Sequence, residues 1–261
     1  MIKMSVIVPT HGRVELFKET LKSLECQTTN DFEIIVTDDS NFEYERDEIK
    51  ILIKNFKRKN INIKYVFTKA NLYQAKNTNQ GLKFANGKYI RILHSDDIIA
   101  NNCIEEEIKL FEKYNDIDIF YSHKINFINT EDIIFDNKYI KLNIISPKIW
   151  LQSTIFTNTI IPSCICFRKS LLNKVVGLYE NYNFLCDWKL FFDLLIISYK
   201  EDKKIGCIQS QFIGWRVHNN NISSNLIFEH FLEHKDFIKN VQKIYKELNI
   251  INNKELLDNN I

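Results

Sequence analysis

The stretch that decides the fold is KYIRILHSDD, residues 88–97. Residues of mostly strand-forming type run from Lys88 to Leu93, and the acids Asp96 and Asp97 follow. In an open α/β sheet, ligands bind beyond the carboxyl ends of the strands. Carboxylate oxygens there suit Mg²⁺ or Mn²⁺ together with phosphate oxygens. The stretch therefore predicts a buried strand that presents two acids to a cleft, although Ser-Asp-Asp is also ordinary turn sequence.

Three further apolar strands precede this one, at residues 4–8, 32–37 and 61–67. The second of them also ends in two acids, Asp38 and Asp39. Short strands that alternate with longer helices require parallel strands joined by right-handed crossovers. The first half of the chain is therefore predicted to be a doubly wound, mostly parallel α/β sheet of the Rossmann-like, nucleotide-binding type.

The helices between these strands follow from helical spacing of apolar residues. The first is indicated by Val14, Phe17, Leu21 and Leu24. Residues 44–60 and 71–86 are predicted to form the next two, and Gly87 would cap the second of these. Later in the chain, a helix is predicted at 187–199 and a strand at 205–217.

A long amphipathic helix is predicted at residues 225–248. Its apolar stripe consists of Ile227, Phe231, Ile238, Val241, Tyr245 and Leu248, and a second stripe consists of Lys235, Lys239, Lys243 and Lys246. We expect the apolar stripe to pack on the rest of the chain or on a second subunit. The alternative is that the helix lies on an anionic membrane.

Composition excludes several classes of protein. Lys and Arg number 35 and Asp and Glu 33, which argues against general nucleic-acid binding. None of the six cysteines forms a C-x-x-C pair, so we expect reduced thiols. Neither a secretory signal nor a membrane-spanning run is evident, which predicts a cytoplasmic protein. The absence of G-x-G-x-x-G and of a P-loop sequence counts against a dinucleotide oxidoreductase or a P-loop enzyme.

Several ordered segments together resemble the family 2 glycosyltransferases of the GT-A fold. They include VIVPTHGR at residues 6–13, FEIIVTDDS at 32–40, LHSDD at 93–97 and CDW at 186–188. The resemblance is strong over residues 4–100 and looser over 160–220. It implies the GT-A fold and the inverting transfer of a sugar from a nucleotide diphosphate to an acceptor hydroxyl.

The resemblance also implies a division of the chain. Residues 1–222 would be the GT-A catalytic domain, with a nucleotide-binding half at 1–100 and an acceptor-binding half at 101–222. Residues 223–261 would be a C-terminal helical extension.

Roles for individual residues follow from the resemblance as well. Asp97 is expected to contact a Mn²⁺ or Mg²⁺ ion, and His218 is expected to complete the metal or diphosphate environment. Asp187 is expected to be the general base that accepts the proton of the acceptor hydroxyl. The residues expected to bind the nucleotide sugar are Pro9, Thr10, Arg13, Asp38, Asp39, Lys76 and Asp96. For Asp38, capping of the next turn is the alternative, and for Lys76 it is simple solvation.

The chain departs from the family pattern at several positions. His94 stands where many relatives have Asp, Cys186 stands where Glu is common, and His11-Gly12 replaces the more usual Tyr-Asn. These substitutions leave open a catalytically silent nucleotide-sugar-binding or scaffold subunit of a glycan assembly complex. A nucleotidyltransferase is disfavoured because residues 9–13 are too poor in glycine.

The partners implied are a UDP-sugar donor and a glycan or lipid-linked acceptor in bacterial surface polysaccharide synthesis. A homodimer, and peripheral contact with the inner face of the membrane through the terminal helix, are further expectations. No nucleic-acid partner is expected.

Overall fold

The computed structural model of the chain describes residues 2–69, 73–153, 161–175, 182–183, 185–218 and 227–250. The strands are β1 (Met4–Thr10), β2 (Phe32–Asp38), β3 (Asn62–Phe67), β4 (Tyr89–Ile92), β5 (Ile98–Ile99), β6 (Ile117–Phe127), β7 (Leu142–Ile145), β8 (Ile165–Arg168) and β9 (Lys204–Arg216). The α-helices are α1 (Val14–Glu25), α2 (Glu43–Lys54), α3 (Tyr73–Leu82), α4 (Cys103–Lys113), α5 (Pro147–Ser153), α6 (Cys186–Lys200) and α7 (Ile227–Glu247). Short 3₁₀ helices lie at Thr130–Asp132, Pro162–Cys164 and Lys169–Lys174.

One sheet contains all the strands, in the order β3-β2-β1-β4-β8-β6-β9-β5, with β7 paired to β9. Strands β1 to β4 pair in parallel, and so do β6 and β9. Strand β8 is antiparallel to both of its neighbours, and β5 and β7 are antiparallel to β9. The predicted doubly wound α/β class is confirmed. Because β1, β2 and β4 are parallel, their carboxyl ends meet at one edge of the sheet.

Two apolar cores cover the two faces of this sheet. Helices α1, α2 and α4 supply one of them, through residues such as Phe17, Ile49 and Phe111. Helices α3, α5, α6 and α7 supply the other, through residues such as Leu151, Phe191 and Phe237. Burial of a sheet on both faces explains why strands such as β1 and β2 are apolar along their length rather than alternating.

The third helix corrects the prediction for Gly87. Helix α3 ends at Leu82, four residues before the predicted end at residue 86, while predicted residues 71 and 72 lie outside the described residues. A Cβ at Gly87 would lie 2.5 Å from the Ser5 backbone nitrogen and 2.6 Å from the Met4 carbonyl carbon. The glycine is therefore required because β4 begins against the backbone of β1, not because a helix ends there.

The terminal helix packs on the rest of the chain, as expected. Phe237, Val241 and Tyr245 of α7 are buried in the same core as α6. Phe231, predicted to lie on the apolar stripe, is instead exposed, and the four lysines of the second stripe are exposed as well. Among the described residues, every helix is too short or too polar to cross a bilayer.

Candidate active site

The site is built on the turn that follows β4. The backbone N–H of Leu93 bonds to the Ile7 carbonyl at 2.9 Å, and the N–H of Asp97 bonds to the His94 carbonyl at 3.1 Å. The turn brings together His94, Asp96 and Asp97, whose candidate ligand atoms all lie within 4.8 Å of one another. Carboxylate oxygens suit both Mg²⁺ and Mn²⁺, and an imidazole nitrogen in the donor set favours Mn²⁺ over Mg²⁺. These residues therefore fit the metal that the sequence predicts.

Asp97, predicted to contact the metal, is held by hydrogen bonds from other residues of the protein. Its side chain is 1% exposed, and its carboxylate accepts hydrogen bonds from Ser163 Oγ at 2.5 Å and from the Arg216 backbone N–H at 3.0 Å. Its backbone carbonyl accepts a third from Thr20 Oγ1 at 2.7 Å. Burial, together with the charge of the neighbouring Asp96, raises the pKa of Asp97 to about 8.

Asp96 faces the side chains of Arg13 and His218 instead. Its Oδ2 accepts a hydrogen bond from Arg13 Nη1 at 2.7 Å and lies 3.1 Å from His218 Nε2. Burial opposes ionisation of this carboxyl, but the neighbouring His94, Arg13 and His218 outweigh burial and lower its pKa. Thus the structure places His218 beside Asp96, whereas the sequence grouped it with Asp97.

Arg13 reaches Asp96 because of an unusual backbone turn after β1. Gly12 and Arg13 both have left-handed backbones, with φ of 60° and 51°. A Cβ at Gly12 would lie 2.6 Å from Glu45 Oε1, the movable end of a side chain, so the left-handed backbone is the reason that glycine is favoured here. A left-handed conformation at a non-glycine residue such as Arg13 costs about 1 kcal/mol and is often found at functional sites.

A second group of polar residues lies at the ends of β1 and β2. Asn77 Nδ2 lies within hydrogen-bond distance of Thr10 O (3.1 Å), Thr37 O (3.2 Å) and Asp39 Oδ1 (3.1 Å). His11 Nδ1 lies 3.1 Å from the same carboxylate oxygen of Asp39, and the interaction raises the pKa of His11. Thr10 and Asp39, both predicted to bind the nucleotide, are thus brought together and fixed by Asn77.

The remaining predicted nucleotide contacts differ in their surroundings. The Asp38 carboxylate accepts hydrogen bonds from the Ser40 backbone N–H at 2.8 Å and from Tyr65 Oη at 2.6 Å, so it caps the turn after β2, and its contact with the nucleotide stays a prediction. Pro9 is buried within β1, in register with Thr37. Lys76 is exposed on α3, next to Asn77.

Asp187 is the second residue of α6 and is half-buried. Its Oδ1 accepts a hydrogen bond from the Trp188 N–H at 2.7 Å. The residues on either side of it, Cys186 and Trp188, are buried in the same core as Ala75 of α3. Asp187 therefore belongs to the helical layer that also supplies Asn77.

A cavity of about 410 Å³ opens beside Asp96. Arg13 and His218, two partners of Asp96, form part of its lining together with Tyr44 and Glu45. The cavity offers space for a ligand that contacts both the Arg13 and the His218 side chains.

Sequence reasoning missed three residues that hold this site. Ser163 Oγ donates to the Asp97 carboxylate and accepts a hydrogen bond from the His94 backbone N–H at 3.1 Å. Arg216 fixes the turn by donating from Nε to the Asp96 carbonyl at 2.9 Å. Asn77 falls within the segment that carried the family resemblance, but it was assigned no role. For Ser163 no local signal exists, because its partners come from a distant strand.

The chain is similar to known proteins in sequence and in fold. The family model described as Glycosyl transferase family 2 matches residues 5–176. The chain is 35% identical over 118 residues to the GalNAc(5)-diNAcBac-PP-undecaprenol beta-1,3-glucosyltransferase of Campylobacter jejuni, a match that covers 44% of this chain and 36% of that protein. The chain spans 19% to 40% of the length of five curated relatives that it matches.

Two solved structures share the fold. S. aureus TarS, in complex with UDP-GlcNAc, has a TM-score of 0.63 at 21% identity, over 85% of this chain and 61% of that chain. The mannosyltransferase PcManGT from Pyrobaculum calidifontis, in complex with GDP-Man and Mn²⁺, has a TM-score of 0.66 at 16% identity, over 92% of this chain and 64% of that chain. The GT-A fold predicted from the sequence is confirmed.

Proposed function

The chain belongs to glycosyl transferase family 2, and from this premise we propose that it transfers a sugar from a UDP-sugar to an acceptor hydroxyl with inversion at the anomeric carbon. The observation that carries the proposal is the meeting of His94, Asp96 and Asp97 with Arg13 and His218 at the ends of β1, β4 and β9. That a fold neighbour was solved with UDP-GlcNAc and another with GDP-Man supports a nucleotide-sugar donor.

The nucleoside half of the donor binds at the ends of β1 and β2 in this proposal. The Asp39 carboxylate accepts hydrogen bonds from ribose hydroxyls or the base, while the Asn77 side chain keeps that carboxylate in place. The diphosphate lies near Arg13, whose guanidinium is suited to phosphate oxygens. Lys76 is available on the exposed side of α3 for a further contact.

Asp96 would hold the Mn²⁺ or Mg²⁺ ion together with His94 or His218, because ring nitrogens of both histidines lie near its partly exposed carboxylate. This proposal revises the expectation that Asp97 makes the direct contact, since the protein holds that carboxylate through Ser163 and Arg216. We assign Asp97 the role of fixing the turn after β4 through these hydrogen bonds. When bound, a divalent cation neutralises the charge that develops on a departing diphosphate.

Asp187 is the general base in this proposal. A carboxylate serves because it need only accept the hydroxyl proton as the new glycosidic bond forms. The substituted neighbour Cys186 is 1% exposed and lies in the apolar core. An acid at that position would not face a cleft in this fold, so its replacement by Cys does not weaken the proposal.

The acceptor that we propose is a glycan or lipid-linked sugar of a bacterial surface polysaccharide. The name of the Campylobacter jejuni relative, which specifies an undecaprenol-linked acceptor, supports this class. The exposed lysines of α7 suit a peripheral contact with the anionic inner face of a membrane.

The test is turnover of a panel of UDP- and GDP-sugars with Mn²⁺, measured as release of the nucleoside diphosphate. We expect release from a UDP-sugar by the wild type and its loss in Asp187→Asn. Asp193→Asn is a matched control because Asp193 lies on the same helix and pairs only with Lys189 among the contacts described there. If Asp187→Asn kept full activity, the assignment of the base would be wrong, and metal-dependent binding without turnover would favour the scaffold alternative.

A further inference from the structure

The N-terminus of α6, where Asp187 lies, lacks a cap of its own. Its N-cap residue is Leu185, which has no side chain able to accept a hydrogen bond. The free N–H groups at a helix N-terminus require partners, and Ser, Thr, Asn or Asp normally supplies one locally. At α6 the Asp187 side chain accepts the Trp188 N–H, but the N–H of Leu185 takes its partner from another part of the chain.

Glu233 of α7 supplies this hydrogen-bond partner. Its Oε1 accepts a hydrogen bond from the Asn183 N–H at 2.9 Å, and its Oε2 accepts one from the Leu185 N–H at 3.1 Å. Both oxygens of one carboxylate thus bind the backbone that leads into α6. A carboxylate is also favoured there by the positive end of the helix dipole.

Neighbouring residues of α7 hold the same segment. Asp236 Oδ2 accepts a hydrogen bond from Tyr182 Oη at 2.8 Å. The Phe237 ring, 1% exposed, packs edge-on against the Tyr182 ring and lies 4.7 Å, centroid to centroid, from the Trp188 ring. Contacts from α7 therefore lie on both sides of Asp187 along the chain.

The charge of Glu233 also reaches the first turn of α6. Burial raises the pKa of the Cys186 thiol well above its usual value, and the carboxylates of Asp187 and Glu233 add to the increase. The two carboxylates therefore share one electrostatic environment at the helix end.

We propose that Glu233 is a positioning residue for Asp187: it fixes the first turn of α6 from α7, and so makes the terminal helix part of the active site. The inference rests on the proposed function, in which Asp187 is the base. The inference gives Glu233, which lies outside the residues matched by the family model, a part in the reaction.

The first measurement compares amide hydrogen exchange of residues 182–190 in the wild type, Glu233→Ala and Tyr245→Phe. Tyr245→Phe is the matched control because it removes a 2.5 Å hydrogen bond between α7 and the Leu151 carbonyl at the other end of the helix. We expect faster exchange at residues 182–190 in Glu233→Ala and no change there in Tyr245→Phe. Unchanged exchange in Glu233→Ala overturns the inference whatever the activity.

The second measurement is the rate of UDP release from the donor that the panel identifies. Because a misplacement of about 1 Å can cost a catalytic group about a hundredfold, we expect kcat to fall about tenfold or more in Glu233→Ala, with the KM for the donor nearly unchanged. Glu233→Gln keeps one acceptor oxygen and should lie between the wild type and Glu233→Ala. A fall in stability with no change in kcat would overturn the inference.

The two proposals fail differently. Full activity of Asp187→Asn, with faster exchange in Glu233→Ala, would defeat the assignment of the base and still support the holding of α6 by Glu233. Loss of activity in Asp187→Asn, with normal exchange and kcat in Glu233→Ala, would defeat only the positioning role.

Discussion

Asp96 and Asp97 are neighbours in sequence, yet their carboxylates have different surroundings. Asp96 faces Arg13 and His218, which lower its pKa, whereas Asp97 is buried against Ser163, and burial raises its pKa to about 8. When the surroundings of two carboxyl groups shift their pKa values in opposite directions, the two groups take different roles. One carboxylate is available to a ligand as an anion, and the other serves to hold the turn.

The raised pKa of Asp97 predicts how the stability of the metal-free protein depends on pH. The pKa rises from 3.8 to about 8 on folding, so the folded state binds the proton more tightly than the unfolded state. This contribution to stability is complete below the unfolded pKa and is lost as the pH rises through the folded pKa. Urea unfolding in EDTA should show a free energy that falls from about pH 4 to about pH 8.

Asp97→Asn is the comparison for that experiment. Asparagine can accept the Arg216 N–H bond and donate to Ser163 Oγ, but it does not titrate. The variant should show a shallower fall in the free energy of unfolding over the same range. An identical slope in the two proteins would contradict the buried, proton-binding state of Asp97.

Ser163 gives a prediction about stability. Removal of its hydroxyl by Ser163→Ala leaves a buried carboxylate oxygen of Asp97 without its donor, and such a loss costs about 1–3 kcal/mol. Ser122→Ala is the matched control, since Ser122 Oγ is buried with no hydrogen-bond partner among the described residues. Urea unfolding should show destabilisation by Ser163→Ala alone, and equal effects of the two variants would contradict this role.

The packing of α3 against the sheet sets the position of Asn77. A Cβ at Gly81, one helical turn after Asn77, would lie 2.5 Å from Ile7 Cγ2 and 3.0 Å from Thr37 Cγ2. Alanine would gain about 1 kcal/mol in helix propensity. Overpacking of this kind costs about 1–3 kcal/mol, so the steric effect should prevail.

Gly81→Ala is therefore expected to lower stability and to weaken UDP binding several-fold, because displacement of α3 moves Asn77 away from Asp39. Urea unfolding and calorimetric titration of UDP measure the two effects. Lys83→Ala, at an exposed position just after α3, should leave both unchanged. Normal UDP affinity in Gly81→Ala would show that α3 does not set the nucleotide site.

Local sequence patterns predicted the elements of the first half of the chain well. Strands β1 to β4 and helix α1 lie within a few residues of their predicted positions, because each is defined by its own apolar spacing. Helix α3 was predicted too long, since residues 83–86 are compatible with a helix, whereas the contacts of Asn86 with Glu33 and of Gly87 with β1 join residues far apart in sequence. The antiparallel β8 between β4 and β6 depends on pairing that no local pattern contains.

The same limit applies to the candidate site. Asp96, Asp97 and Arg13 stand in short motifs next to strand ends and could be proposed from sequence. Ser163 and Glu233 could not, because the bonds that define their roles join residues 66 and 48 positions apart. Chemistry that is concentrated in one turn is visible in the sequence, whereas the residues that hold that turn are visible only in the folded chain.

The described residues form a single sheet with an apolar core on each face. The core supplied by α3, α5 and α6 also includes the terminal helix α7. A division into residues 1–222 and 223–261 stays a prediction, and so do a cytoplasmic location and a homodimer. Because Phe237, Val241 and Tyr245 are buried within the chain, any contact of α7 with a membrane would depend on its exposed lysines and on the exposed Phe231 and Leu232.

The central claim is that this sheet edge binds a nucleoside diphosphate together with a divalent cation. The most direct test is calorimetric titration of UDP into the wild type and Asp96→Asn, each with Mn²⁺ and with EDTA. The account predicts that the wild type binds UDP about tenfold or more tightly with Mn²⁺ than with EDTA, as expected when a cation bridges carboxylate and phosphate oxygens, and that Asp96→Asn loses this difference. Equal UDP affinity of the wild type with and without Mn²⁺, or a metal effect undiminished in Asp96→Asn, would contradict it.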